Sequence, residues 1–359
     1  MAEKRARGLL IMNPKATTAS EGTLEVLVGA LSSELELRHE HTRYRGHAAD
    51  LAEQAAADGV DVVIAFGGDG TVNETVTGLM AHGSKPEDRP RLAIVPGGST
   101  NVFARALGLP NHAVEATAIL LRQLRSGDRD GGGSGAGGGR AAAGADYPFA
   151  TAPEAGVDPN PGLGRTRLIS LGAVRPDDEA EERYFTFAAG FGFDAAVVGE
   201  VERRRAEGKK STHTLYLRSA VREYVRRGGG DRRTAPITAK AADGSVLPEL
   251  FMATVANTSP WTYLGQRPII ATPQAGFDSN LDLFGLTTLS PLPFWQTIGR
   301  LLTESPKLGD GTGAILRHDL PELTLLAQRP VPFQVDGDYL GPRERVTFRS
   351  GPAALRVFA

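Results

Sequence analysis

The chain reads as an α/β nucleotide-binding fold followed by a mainly antiparallel β-sandwich, and three observations predict this. Over residues 1–125 short apolar runs alternate with helical periodicities, the pattern of a parallel sheet with helices on its faces. From residue 165 to 349 short strand-like runs are punctuated by Pro and Gly, as in a sandwich or barrel. Between them, residues 126–164 form a Gly-, Ala- and Pro-rich tract with too few apolar side chains to offset its ordering entropy. That tract is expected to be a disordered surface insert. At 359 residues the chain is long enough for two cores.

In order, strands are expected at Leu9–Met12, Leu35–His39, Val60–Phe66 and Leu92–Val95. Thr18 to Glu21 reads as a capping box ahead of Leu24, Leu27, Val28, Leu31 and Leu35 at helical spacing. Ala48, Leu51, Ala52 and Ala55 make a second helical stripe, and Val72 to Met80 a third. In the second half, strands are expected at Arg167–Val174, Tyr184–Ala189, Pro236–Ala241, Leu250–Asn257, Leu281–Leu286, Glu322–Leu326, Pro332–Val335 and Glu344–Phe348. One strongly helical stretch covers about Ala195–Arg227, and Phe294, Trp295, Ile298, Leu301 and Leu302 form an apolar helical stripe. That stripe suits ordinary core or the lining of an acyl pocket.

Composition narrows the chemistry. With no cysteine there is no disulfide, thiolate metal site or cysteine nucleophile, which fits a reducing cytoplasm. A formal net charge of −2 supplies no global field toward nucleic acid or membrane. No stretch approaches the roughly 20 apolar residues of a membrane span, so no transmembrane segment is expected. Arg203 to Arg227 is rich in Arg, with apolar residues interleaved, and suits a solvated helix face or a rest on anionic headgroups. Edge strands leave room for a homodimer.

The densest signal is Val62 to Gly78, V-V-I-A-F-G-G-D-G-T-V-N-E-T-V-T-G. An apolar strand stops at Gly67, Gly68, Asp69 and Gly70, and a helix is expected from Thr71. Glycines admit an anion close to the backbone, and a helix N-terminus offers free N–H groups and positive dipole. Asp69 sets a carboxylate beside the phosphates, which makes sense with Mg²⁺ or a water between them. No Gly-Lys-Ser/Thr follows, and G-x-G-x-x-G is absent. The expected parallel sheet places Asn13, Gly67–Thr71 and Gly97–Asn101 together, because ligands sit at the carboxyl ends of its strands.

This stretch resembles the nucleotide-binding motif of the diacylglycerol kinase catalytic family, which includes bacterial lipid kinases and sphingosine kinases. Leu9 to Pro14 resembles its first strand and Asn-Pro turn, without the Ser-Gly that often follows. Gly97 to Arg105 resembles its second nucleotide loop, with Val102 where Asp is frequent. Tyr184 to Asp194 resembles a strand and turn of its second domain, and Val335 to Asp338 its late Asp-Gly-Glu, with Asp for Glu. The resemblance implies a Rossmann-like first domain of the NAD kinase and diacylglycerol kinase type, to which residues 350–359 return. It implies transfer of the γ-phosphate of ATP to a lipid hydroxyl, most readily diacylglycerol giving phosphatidic acid, with Mg²⁺. The protein would then be cytoplasmic and peripheral at the inner face of the membrane.

Site residues follow from motif and resemblance together. The backbone of Gly67, Gly68, Gly70 and Thr71, helped by Gly98 and Ser99, is expected to hold phosphate. Glu74 belongs to the same motif. Asn13 and Asn101 would fix the loops, although each also suits a turn cap. Asp336 matches the family's late Asp, which takes the proton from the lipid hydroxyl, and Asp338 two residues on would raise its pKa. Val-Asp-Gly-Asp-Tyr is equally good hairpin-turn chemistry. Asp278 resembles the Asp of a structural Mg²⁺ site whose other ligands are carbonyls near Ala275 and Asn280, with Ser279 in place of the usual Gly. Asp194 matches too, and packing or a turn explains it as well. Two other functions compete: a NAD kinase, which shares a similar Gly-Gly-Asp-Gly-Thr turn, and a catalytically silent nucleotide- or lipid-binding regulator.

Overall fold

A computed structural model describes residues 5–14, 16, 20–83, 85–127, 164–179, 181–207, 213–226, 237–303 and 313–359. The expected insert at 126–164 lies almost wholly outside the described residues, as does Thr18 of the expected capping box. The first part runs β1 (Arg7–Met12), α1 (Glu21–Glu34), β2 (Glu36–His41), α2 (His47–Ala57), β3 (Val62–Gly67), α3 (Asp69–Ala81), β4 (Arg91–Pro96), α4 (Val102–Ala106) and α5 (Ala113–Gly127). The strands are parallel in the order β4-β3-β1-β2.

Strict alternation along β1 and β3 explains why both faces of this sheet are covered. Leu9, Ile11, Val63 and Ala65 turn to one core, with Ala48, Ala52, Val72 and Val76 of α2 and α3. Leu10, Met12, Ile64 and Phe66 turn to the other, with Leu27 and Leu31 of α1 and Leu120 and Leu124 of α5. Continuous apolar runs are what a doubly covered parallel strand requires. The edge strand β2 is largely exposed and carries Glu36, Arg38, His39 and Glu40, which discourages further pairing. Ser20 caps α1, its hydroxyl accepting from Thr23 N at 3.2 Å.

The second part comprises β5 (Arg167–Pro176), β6 (Arg183–Phe185), β7 (Ala188–Gly192), α6 (Phe193–Ala206), α7 (His213–Arg226), β8 (Ile237–Ala241), β9 (Met252–Ala256), β10 (Thr262–Leu264), β11 (Arg267–Ile269), β12 (Leu281–Leu286), α8 (Pro291–Leu301), β13 (Ala314–Leu320), β14 (Glu322–Val335) and β15 (Asp338–Val357). Its pairings are antiparallel, in the order β13-β12-β9-β7-β14-β15. The helical stretch expected at 195–227 is two helices, α6 and α7.

The long strands β14 and β15 organise this half by each serving two sets of partners. Leu323–Ala327 of β14 pairs with β8, and after an irregularity Phe333–Val335 pairs with β7. β15 pairs with β5, and its end reaches the first sheet, where Val357 pairs in parallel with Leu92 of β4. Phe185, Phe191, Phe333 and Phe348 fill the core between these strands.

Candidate active site

The order β4-β3-β1-β2 reverses direction between β1 and β3, and a crevice at the carboxyl ends of those two strands is where such sheets bind ligands. Asn13 follows β1, and Gly67–Thr71 is the end of β3 and the start of α3. Asn13 N donates to Phe66 O at 3.0 Å, and its Nδ2 donates to Thr71 Oγ1 at 3.0 Å. The helix begins at Asp69, two residues before the expected Thr71, with Gly68 as its N-cap in extended conformation. Its first-turn N–H groups have no partner within the helix.

The loop after β4 packs backbone against backbone on this turn. Gly97 N donates to Gly67 O at 2.8 Å, and a Cβ on Gly98 would stand 2.7 Å from Gly68 Cα. A Cβ on Gly67 would meet Thr71 Oγ1 at 2.6 Å. These glycines are required by close approach. Gly70 differs: it is exposed, and a Cβ there would meet nothing, so the free space lies on its outer side. Ser99 stands exposed at the tip of the second loop. Asn101, at φ 48°, closes that loop by accepting from Gly98 N at 3.0 Å and donating to Gly98 O at 2.8 Å.

Asp69 ties the two loops together, accepting from Phe103 N at 3.2 Å in the first turn of α4. Burial pushes its carboxyl up to about 6, against the N–H groups of Val102 and Phe103, and the charge of Asp336 adds to the rise. An enclosed carboxylate with two backbone donors fits a cation, which would offset the burial of its charge. Asp69 is therefore the carboxylate beside the glycine turns that could hold a cation.

Asp336 and Gly337 form the two-residue turn between β14 and β15, with φ 47° and 80°, the positive pair of a type I′ hairpin. The turn reading and the site reading of this motif thus coincide. The Asp336 residue is only 5% exposed, and its carboxylate accepts five hydrogen bonds. Thr186 N and Thr186 Oγ1 each donate to Oδ2 at 2.7 Å, and Asn73 Nδ2 at 2.8 Å. Phe187 N and Ala188 N donate to Oδ1 at 3.0 and 3.1 Å. Burial nonetheless holds its pKa above the ordinary carboxylate value.

Several expected roles change. The charge of Asp336 acts on Asp69, whereas Asp338, expected to raise Asp336, turns to Arg45 at 3.1 Å. Glu74, on α3, points away from the glycine turns and accepts from Ala48 N at 3.2 Å, which caps the first turn of α2. Asp278 is paired with Arg167 at 2.6 Å, and the Ser279 hydroxyl donates to the carbonyls of Gly276 and Asn280 at 3.1 and 3.2 Å. A bound guanidinium and an occupied carbonyl do not fit a Mg²⁺ site there. Among the described residues, no group of three His, Asp or Glu could hold a metal. Asp194, in the first turn of α6, accepts from Gln334 Nε2 at 2.9 Å, and burial pushes it up to about 6. Trp295 of the apolar stripe faces outward, while Phe294 and Leu301 are core.

Two residues that motif reading left without a role matter here. Asn73 is a buried polar residue on the apolar face of α3, and it joins the first domain to the second by donating to Tyr184 O at 2.9 Å as well as to Asp336. Its polarity amid Val72 and Val76 was the available signal. Arg105 stacks over Tyr263 at 3.3 Å and donates to Gly265 O and Gln266 O, holding α4 against the β10–β11 hairpin. Nothing local marks that contact.

Residues 7–128 match the family model described as the diacylglycerol kinase catalytic domain, which is where the sequence resemblance is strongest. A diacylglycerol kinase of Bacillus subtilis is 45% identical over 73 residues, 20% of this chain and 23% of that protein. A diacylglycerol kinase of Staphylococcus aureus is 37% identical over 121 residues, 33% of this chain and 36% of that protein. The aligned stretches thus span about a quarter to a third of these relatives. The fold extends further: a crystal structure of a diacylglycerol kinase from Bacillus anthracis superposes with a TM-score of 0.64 at 19% identity, covering 99% of this chain and 97% of that one.

Proposed function

We propose that this protein is an ATP-dependent lipid kinase that transfers the γ-phosphate to a lipid hydroxyl, with diacylglycerol as substrate and phosphatidic acid as product. The observation that carries the reading is the convergence of two glycine loops, the half-buried Asp69 and the buried Asp336 at one crevice, with Asn73 joining its two sides. The match of residues 7–128 to the kinase catalytic domain supports it. The backbone of Gly67–Thr71, with Gly98 and Ser99, holds the phosphates, and the open side of Gly70 admits them. Mg²⁺, held by Asp69, supplies neutralisation of phosphate charge when bound.

Asp336 is the proton acceptor. Five donors exceed the roughly four lone-pair sites of a carboxylate. A substrate hydroxyl can therefore reach it only by taking the place of one donor. Asn73 Nδ2 is the donor supplied from the facing domain, so its displacement opens the site to the lipid. The lipid oxygen then forms its bond to the γ-phosphorus as the bond to the ADP oxygen breaks, and the hydroxyl proton passes to Asp336. The protein would meet this substrate as a peripheral protein at the cytoplasmic face of the membrane.

The test is transfer from [γ-³²P]ATP with Mg²⁺ to a panel of lipids in mixed micelles, with NAD as a separate acceptor. Label on a lipid alcohol is the expected result. Label on NAD overturns the reading, and ATP binding without transfer to any acceptor replaces it with a nucleotide-binding regulator.

A further inference from the structure

α7 and α8 pack as a pair on the second domain. Tyr224 of α7 stacks on Phe294 of α8 with ring centroids 4.5 Å apart, and it meets Trp295 edge-on at 5.5 Å. The inner sides of both helices join a core with Phe193, Met252 and Phe284. Trp261 packs against this core and also against the one that contains Phe103 of α4, and thus links the core behind the helix pair to that one.

The outer sides do not have the polar surface that a solvated helix pair would present. On α7 the exposed positions include Arg218, Val221, Arg222 and Val225, spaced i, i+3, i+4 and i+7 and so on one face. On α8 and just after it, Leu292, Trp295, Gly299 and Leu302 are exposed at the same kind of spacing. Val225 and Leu292 are 68% and 69% exposed, and Trp295 43%. Of the ten large apolar side chains exposed among the described residues, five lie on these two helices or just after α8, more than singly scattered apolar residues would place there.

Charge identifies the occupant. Arg218 and Arg222 border the apolar strip, and Arg300 lies in the last turn of α8. The one acidic residue on either helix, Glu223, is buried. Arg222 has Glu200 at 3.9 Å, but that carboxylate is already bound by Arg203 and Arg204 at 2.9 and 2.7 Å. An apolar strip with a Trp, bordered by cations and free of exposed acids among the described residues of the two helices, complements an anionic lipid surface.

We propose that the outer face of α7 and α8 docks on an anionic bilayer. This deepens the lipid-kinase reading and rests on it for its purpose, since a kinase with no helix among its described residues long and apolar enough to cross a membrane would collect its lipid at the surface. Val225, Leu292, Trp295 and Leu302 enter the headgroup region, and Arg218 and Arg222 engage lipid phosphates.

The experiment is flotation of the full chain with vesicles of phosphatidylcholine alone and of phosphatidylcholine mixed with phosphatidylglycerol. Binding to the mixed vesicles and not to the zwitterionic ones is expected. Arg218→Gln with Arg222→Gln should lower partitioning about 25-fold, because roughly 1 kcal/mol per basic side chain is about fivefold each. Leu292→Ser with Trp295→Ser should lower it by about tenfold or more. Mixed vesicles should blue-shift the tryptophan emission, and Trp295→Phe should remove the shift, leaving Trp261 as the remaining tryptophan. Unchanged partitioning in the chain carrying all four substitutions overturns the proposal. So does equal binding to both vesicle types, or sedimentation of a stable dimer that Trp295→Ser dissolves. Phosphorylation of a short-chain diacylglycerol dissolved as monomers should be unaltered by these substitutions. If the unaltered chain phosphorylates no lipid, the kinase reading falls while the vesicle result still decides the surface.

Discussion

Two Asp-Gly pairs lie at this crevice, and the fold uses them in opposite ways. Asp69-Gly70 opens an α-helix at the end of a parallel strand, with two backbone donors on its carboxylate and open space beside Gly70. Asp336-Gly337 closes a type I′ hairpin, and its carboxylate is enclosed by five donors. One carboxylate is left able to take a cation, and the other is saturated until something displaces a donor. The lesson is that the dipeptide supplies only a bend and a charge. The neighbours that reach the carboxylate decide its chemistry.

The sharpest test of this contrast is Asp336→Asn. The amide replaces an acceptor with a donor and leaves several N–H and O–H groups facing it unpaired. We expect a loss of about 3 kcal/mol in urea unfolding, and turnover lower by about 10³-fold. A variant that keeps both stability and turnover breaks the comparison. Asp69→Asn should separate the two effects. Phosphate transfer should fall by about 10²-fold or more, while unfolding at pH 7 should be no easier than in the parent chain, because the amide oxygen can still accept from Phe103 N and the substitution removes a carboxyl that burial pushes up to about 6.

Asp194 offers a third case, a half-buried Asp at the start of a helix whose partner Gln334 also accepts from Gly337 N beside Asp336. Its folded pKa of about 6 lies above the ordinary 3.8, so its contribution is fully present below about pH 4 and lost as pH rises through about 6. Asp194→Asn should therefore gain up to about 3 kcal/mol over the parent at pH 7 and nothing at pH 4, read as unfolding free energy against pH. Equal differences at both pH values would show that the carboxyl is not held neutral by burial. The smallest effect is expected at Glu74. Glu74→Gln should cost about 0.5 kcal/mol through the N-terminus of α2 and leave ATP affinity unchanged by titration calorimetry. A marked loss of ATP affinity would return Glu74 to the nucleotide site.

The elements of the first half were legible because their apolar runs are long and periodic, and β1, β3 and β4 differ from expectation only at their ends. The helix start at Asp69 was displaced because a glycine N-cap has no side chain to announce it. The convergence of Asn13, Gly67, Gly68 and Gly98 was legible because glycines packed backbone on backbone leave a mark in the sequence. Glu74 was misleading because its place in the motif says nothing of its direction, and one step along a helix turns a side chain by about 100°. For Asp278, the substituted Ser279 was a visible warning, but the partner that replaces the cation, Arg167, lies over a hundred residues away.

By itself the sequence determined the succession of an α/β half and a β half, the glycine turns proposed to hold phosphate, and the resemblance borne by those turns. All of these are local, set by periodicity, missing Cβ atoms and strand-to-helix order. Only the tertiary structure decided what surrounds each carboxylate: Asn73 and Thr186 on Asp336, Phe103 on Asp69, Arg45 on Asp338, Arg167 on Asp278. Those partners come from distant segments that strand pairing brings together, and a buried charge takes its pKa and its reactivity from the groups within a few ångströms of it.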